Sequence, residues 1–414
     1  MSDNPITHEE ESDKIMFHSV NTRPESLWRQ VWGLAALLAA IILSWMSYNF
    51  YQPIILQKLE FVELIGWLGI LQGLLAAFIE PMIGGLSDRI QQRWGSRLPM
   101  ISVGVVLAGL IFVSVSLLVE QNLSTDIRWI VPVLMTAWVM TIIIFRSPAI
   151  ALLTQLVPTT ELPQANALLV FVLGAIRATE PLLNTVLHSM GASLTFLLGA
   201  IALVLGAYIL RSLTPKNSFY PSRSTHDQSV NTPVEMLVVI FVIGVATGVE
   251  VNLLLSIFPQ QLQTQLPNLT VEFITSAILL VSAIASIPLG DWTDKRCADK
   301  SILLGLGTMT ALMGLAVLND SHTLVIGFIL AFGISLGLVI ISILPVILAK
   351  FHPSNLGLGT GLYFGGTAGG TALVSLLIQE VGITSIAAFL LAEVALIVVV
   401  VCIVMSRKLC ILHD

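Results

Sequence analysis

Twelve apolar stretches, each near the ~20 residues a helix needs to cross ~30 Å of hydrocarbon, fix the architecture open to this chain before any other feature does. They run roughly over 31–51, 61–86, 99–119, 128–153, 165–187, 192–213, 233–257, 272–289, 301–318, 322–348, 356–379 and 381–405. The breaks between them are short and polar, so each stretch must satisfy its own backbone hydrogen bonds. Long apolar runs without alternation do that as helices, because strands would need barrel closure. With 56% apolar and 11% charged residues, against about 25% charged in ordinary soluble proteins, the chain belongs in a bilayer.

The longest polar interruption, residues 214–232, falls at mid-chain and divides the spans six and six. The expected organisation is an all-α membrane protein of twelve transmembrane helices in two pseudo-symmetric six-helix bundles. Its parts are a disordered cytoplasmic tail (1–26), an N-terminal bundle (27–213), a cytoplasmic linker (214–232), a C-terminal bundle (233–406) and a short cytoplasmic tail (407–414). The first segment is acid-rich (Glu9, Glu10, Glu11, Asp13) and has no signal-peptide core or cleavage site. Of 19 Lys and Arg residues, only Lys58 and Arg128 fall in the loops opposite the linker, and Arg146 and Arg177 lie inside spans. The positive-inside rule therefore puts both termini in the cytoplasm of a multi-pass protein of the plasma (inner) membrane.

Other functional classes find little support. The net charge of −6 and the absence of a basic stripe give no nucleic-acid footprint. Cys297, Cys402 and Cys410 lack metal-ligand spacing, so they read as free thiols, with no metal and no cofactor expected. No phosphate-cradling Gly-rich Lys loop is present, which argues against ATP as the energy source. No nucleophile, base and orienting group stand in an enzyme-like arrangement.

One motif occurs twice. Gly84-x-x-x-Asp88-Arg89 and Gly290-x-x-x-Asp294-Lys295 each follow a long apolar run, about half a chain apart. Gly84 and Gly85 read as ending a helix where a side chain would block a close approach. Asp88 is an anion placed to accept backbone donors from a neighbouring helix start, expected near Asn355 to Gly357. The first copy continues through Arg93-Trp94-Gly95-Ser96-Arg97-Leu98-Pro99 and resembles the loop between the second and third helices of the major facilitator superfamily. Together with Phe145-Arg146-Ser147-Pro148-Ala149, Leu156-Val157-Pro158 and Ala165-Asn166-Ala167-Leu168, it is similar to the branch of sucrose transporters and glycoside-pentoside-hexuronide cation symporters. The acids of that branch at the positions of Gln155 and Val139 are missing here. The resemblance implies a monomer working by alternating access, with Gly84, Gly85, Asp88, Arg89, Arg93 and Asp294 as gating residues on the cytoplasmic side. The plain alternative makes Asp88 and Arg89 solvated loop charges.

Ionised side chains within spans cost roughly 2.5–3.5 kcal/mol each at a helix centre and should face the bundle interior. They are Arg146, Arg177, Glu180, Glu250 and Glu393, with Glu80 near a span end. At ~100° per residue, Asn166, Arg177, Glu180, Asn184 and His188 share one face of the fifth span. Arg177, Glu180, Asn184, Glu250 and Arg146 are the substrate-site candidates, with Arg177 offering a planar fork to hydroxyls or a carboxylate. Glu180 or Glu250 would carry a coupling proton, sodium being the other candidate ion. Set against this, Arg177 and Glu180 form a buried structural pair, and Arg146 bonds carbonyls freed by Pro148. Glu80 before Pro81 and Glu393 read as packing devices, and His188 as merely hydrated. Trp45, Tyr48, Phe50 and Tyr51 either cap a cavity or form an interfacial belt.

Gly357, Gly361, Gly365 and Gly369 give span eleven a smooth face for sliding between the halves, or else a dimer seam. Three functions remain open on sequence: sugar or glycoside:cation symport, efflux of drugs or organic anions, and a non-transporting assembly factor or sensor. The first two make the partners a small-molecule solute and the lipid bilayer.

Overall fold

The computed structural model describes residues 27–121, 124–158, 161–214, 232–294, 298–318, 324–348 and 350–413. The sequence-expected tail 1–26, nearly all of the linker 214–232, Lys295 and Cys297 lie outside the described residues. Among those described, the N-terminal half comprises α1 (Trp28–Lys58), α2 (Leu64–Trp94), α3 (Leu98–Val119), α4 (Ile130–Leu156), α5 (Leu162–Ala178), α6 (Glu180–Met190) and α7 (Ala192–Leu213). The C-terminal half comprises α8 (Val234–Gln265), α9 (Val271–Asp294), α10 (Ala298–Leu318), α11 (Val325–Leu348), α12 (Leu356–Val381) and α13 (Ser385–His413). Eleven of these helices are long and apolar enough to cross a membrane, and counting the bent pair α5–α6 as one span gives twelve.

Two apolar cores organise the helices. Residues from Val31 to Leu210 form the first, which Leu344 of α11 enters from the other half; the second runs from Met236 to Ile403. In the first, Trp138 stacks between Phe112 (4.2 Å between centroids) and Tyr48 (4.9 Å). The Tyr51 hydroxyl donates to the Leu187 carbonyl at 2.5 Å. Tyr48 and Tyr51 are therefore packing residues of this half, neither an interfacial belt nor a cavity cap, because ring stacking and a buried carbonyl offer them more than the headgroup region does.

The halves meet along two seams, α2 against α12 and α5 against α9. Two sequence expectations do not hold. Gly84 and Gly85 do not end a helix: α2 continues to Trp94 and stops at Gly95, whose φ of 70° suits a residue without Cβ. The fifth span is not one helix: α5 and α6 meet at Thr179 with a 54° bend. Pro181, in the first turn of α6, has no N–H for the Arg177 carbonyl and its ring crowds that carbonyl. Thr179 closes α5 instead, through N–H (3.0 Å) and Oγ1 (2.7 Å) bonds to the Ile176 carbonyl, as a chain in lipid requires.

Candidate functional site: the seam between the halves

At the end carrying the first loop motif, Asp88 bridges the halves. Its Oδ1 and Oδ2 accept the backbone N–H groups of Gly357 and Leu358, each at 2.8 Å, at the start of α12. Those are unsatisfied donors at the positive end of a helix dipole, the natural partners of a carboxylate. The approach is possible because position 84 is glycine: a Cβ there would collide with the Gly357 carbonyl.

Sequence reasoning missed the partner on the other side of Asp88. Arg97 is 1% exposed, donates to Asp88 Oδ1 at 2.6 Å, to Ser87 Oγ at 3.1 Å and to the Ala151 carbonyl at 3.0 Å. Burial pushes this guanidinium down from its ordinary value while Asp88 pushes it back up, and it stays charged because that ordinary value is so high. Among loop basics obeying the topology rule, nothing but its place beside the Pro99 helix start set Arg97 apart. Arg89 and Arg93, expected as gating residues, are exposed, and neither joins an ion pair among the described residues. In the second motif copy Gly290 packs against Ala167 and the Pro163 carbonyl, while the placement of the Asp294 side chain lies outside what is described.

Further contacts close the same end. Ser147 meets Thr360 at 3.5 Å, Gln164 donates to Asp291 at 3.2 Å, and Ser286 donates to the Ala167 carbonyl at 3.0 Å. Asn166 Nδ2 donates to the Ile341 carbonyl at 3.0 Å. Asn166 is thus a buried clasp between the halves, not the first residue of a water-lined stripe. Farther along, the seams are held by small residues, Gly73 against Ala372 and Gly174 against Ala283. The molecule is shut at the motif end.

Beyond that closure lies a charged cluster. Arg146 of α4 pairs with Glu80 of α2, which is 0% exposed, and Arg146 lies over the Phe364 ring of α12 at 5.6 Å. The arginine thus serves neither carbonyls freed by Pro148 nor α4 alone; it neutralises a buried acid and touches the opposite half. Arg177 of α5 is exposed yet close enough to Glu180 and Arg146 to feel both charges. It makes no hydrogen bond and no ion pair among the described residues. The bend at Thr179 separates it from Glu180, so the two are not the closed intrahelical pair that three-residue spacing suggests. Glu180 and Asn184 are half-buried on α6, and His188 is exposed.

Glu250 does not join this cluster, contrary to the sequence expectation. It is fully buried within the C-terminal half, its Oε1 accepting from Thr310 of α10 at 2.8 Å. The face of α8 that carries it turns toward α10 and α13, and helical periodicity alone cannot say which of several neighbours a face meets. Thr310, 60 residues away, had no local signal.

A helical bundle of two halves, latched at one end and lined with charge between them, defines a polytopic membrane protein. Residues 236–409 match the Major Facilitator Superfamily family model, and solved structures covering 90–92% of the chain share its fold. It is similar to a bacterial homologue of the iron transporter ferroportin in the outward-facing state, with TM-score 0.65 and 14% identity over 92% of this chain and 98% of that one. It is also similar to the proton:xylose symporter XylE, with TM-score 0.65 and 11% identity over 91% and 94% of the two chains. For the human organic anion transporter MFSD10 (TETRAN) the values are 0.59 and 12% over 90% and 98%. Comparison with curated proteins gives no match.

Proposed function

We propose that this protein is a secondary transporter that moves a small organic solute bearing an acidic group through the seam between its halves by alternating access. The observation that carries the reading is Arg177. An ionised guanidinium inside a span is costly, by roughly 2.5–3.5 kcal/mol at a helix centre, and such groups normally find a partner. Arg177 has none within hydrogen-bonding distance among the described residues and stands open beside Arg146. A planar fork of donors next to a second arginine suits a carboxylate or related oxyanion. Midplane sites between pseudo-symmetric halves are where transporters of this architecture hold solutes.

A saccharide is the second reading. Glu180 and Asn184 on α6 supply acceptors and donors for hydroxyls, and the loop and Arg146-Ser147-Pro148 segments resemble the sucrose and glycoside branch. On either reading the protein works as a monomer in the plasma membrane with both termini cytoplasmic, the orientation that its basic residues support.

Thermal unfolding of purified wild type and Arg177→Gln with a panel of organic acids, saccharides and lipophilic cations decides between them. A ligand at a hundred times its Kd stabilises by about 2.7 kcal/mol. Organic acids should raise the wild-type midpoint and leave Arg177→Gln unmoved. Stabilisation by saccharides alone, or equal stabilisation of both proteins by acids, would sink the acid reading.

A further inference from the structure

Away from the seam, the C-terminal half holds a polar cluster that the solute path does not use. Thr247 and Glu250 stand one turn apart on α8, Thr310 faces them from α10 and Tyr363 from α12; all four are at least 98% buried. Glu250 Oε1 accepts the Thr310 hydroxyl at 2.8 Å, while Glu250 Oε2 has no hydrogen-bond partner among the described residues. The Tyr363 and Thr247 hydroxyls approach each other without completing a hydrogen bond. Every polar atom here is an oxygen.

Among the described residues no cation pairs with the acid. Glu250 is in none of the ion pairs of the described residues. The charge that reaches it is that of Glu393 on α13, which repels it. The other elements packed on α8 bring no help. From α12 Tyr363 faces it while Glu380 sits at the helix end, the charged residues of α9 and α10 (Glu272, Asp291, Asp294, Asp299, Lys300) sit at helix ends, Cys402, Arg407 and Lys408 lie two turns or more beyond Glu393 on α13, and α11 carries no charge between Val325 and Leu348. An ionised carboxylate in such a place is cut off from bulk solvent and has no counter-charge among the described residues. A neutral acid, by contrast, gains a donor for a nearby oxygen and keeps the Thr310 bond.

We propose that Glu250 is a proton-binding site, loaded in this closed-ended state, and that losing its proton loosens the packing of α8 on α10 and α13. On release the proton leaves as hydronium, the carboxylate remains, and α8 must admit water or shift to solvate it. Because α8 also lies against α12, which holds the Asp88 latch, the site gives the C-terminal half a means of coupling protons to the seam. That coupling, though not the protonation itself, rests on the transport reading above.

Infrared difference spectroscopy of the purified full-length protein, stepped from neutral to strongly alkaline buffer, reads the proton directly and needs no solute. Wild type should show a carbonyl stretch of a protonated carboxyl at neutral pH that disappears on alkalinisation. Glu250→Gln should lack that band and Glu393→Gln keep it. Should Glu250→Gln fold poorly, Thr310→Val serves: it should keep the band but move it to higher frequency, since one hydrogen bond to the carboxyl is gone. The proposal is overturned by a band unchanged in Glu250→Gln or unmoved in Thr310→Val. It is equally overturned by a carboxylate already ionised at neutral pH, or by removal of the band on adding sodium chloride at constant pH, which would make the site a metal-cation site. Failure of every solute in the thermal panel leaves this result untouched, so the two readings fall separately.

Discussion

Replacing Asp88 with Asn should open the motif end of the seam, and the structure sets the size of the effect. Three groups donate to this carboxylate, but only the Gly357 and Leu358 N–H groups belong to the other half; Arg97, Ser87 and Ala151 move with Asp88. The Arg97 bond is therefore common to closed and open states and cancels, since an equilibrium responds only to differential contacts. Two hydrogen bonds to an ionised, 4% exposed side chain contribute about 1.5–3 kcal/mol each, and Asn retains at best one neutral bond of about 0.5–1.5 kcal/mol. The closed state loses on the order of 2–5 kcal/mol, which at about 1.4 kcal/mol per factor of ten raises the open population at least ~30-fold. Thr360→Cys reports it, since Thr360 is 1% exposed and meets Ser147 across the seam. With Cys297, Cys402 and Cys410 changed to Ser, a membrane-impermeant maleimide applied from the motif side should label the Asp88→Asn protein correspondingly faster. An unchanged labelling rate would refute the latch and the energetic argument together.

Other outcomes follow from the same contacts. Arg146→Ala leaves Glu80 buried without its cation and should lower stability by about 3–5 kcal/mol, seen as a depressed unfolding midpoint; adding Glu80→Gln should recover most of it, and a double mutant no better than the single would show that the pair is not the cause. Gly84→Ala and Gly244→Ala both force a Cβ onto a carbonyl, of Gly357 and of Tyr363 respectively, at an overpacking cost of about 1–3 kcal/mol. The first contact lies between the halves and the second within one. Gly84→Ala should therefore speed Thr360→Cys labelling with little loss of midpoint, and Gly244→Ala the reverse; equal behaviour would erase the distinction drawn between seam and core.

Much of the architecture was legible because hydrocarbon thickness imposes a length on every span, and because Gly84-x-x-x-Asp88 encodes a close approach and an anion together. What was not legible has specific causes. The fifth span was read as one helix of constant pitch, which hid the bend although Pro181 stood in the sequence to announce it. That bend is why Arg177 and Glu180 do not close on each other. Arg97 looked like any loop cation, since its burial depends on α4 delivering the Ala151 carbonyl from 54 residues away. The glycines of span eleven gave a smooth surface but not its neighbours: Gly357, Gly361 and Gly365 meet α2, whereas Gly366 and Gly370 meet α8, so the helix is a spine shared between the seam and its own half. Glu250 had the right cost and the wrong location, for its hydrogen-bond partner lies on α10 and its charged neighbour on α13, and only tertiary structure could choose them.

The most direct test of the account is whether position 177 is wetted from the side opposite the motif loop. In the cysteine-free background, Arg177→Cys in intact cells should react quickly with a membrane-impermeant thiol reagent added outside, because Arg177 is exposed beside Arg146 while the seam is shut at the motif end. Reaction only with a lipid-soluble maleimide, or none until the cells are permeabilised, would contradict it.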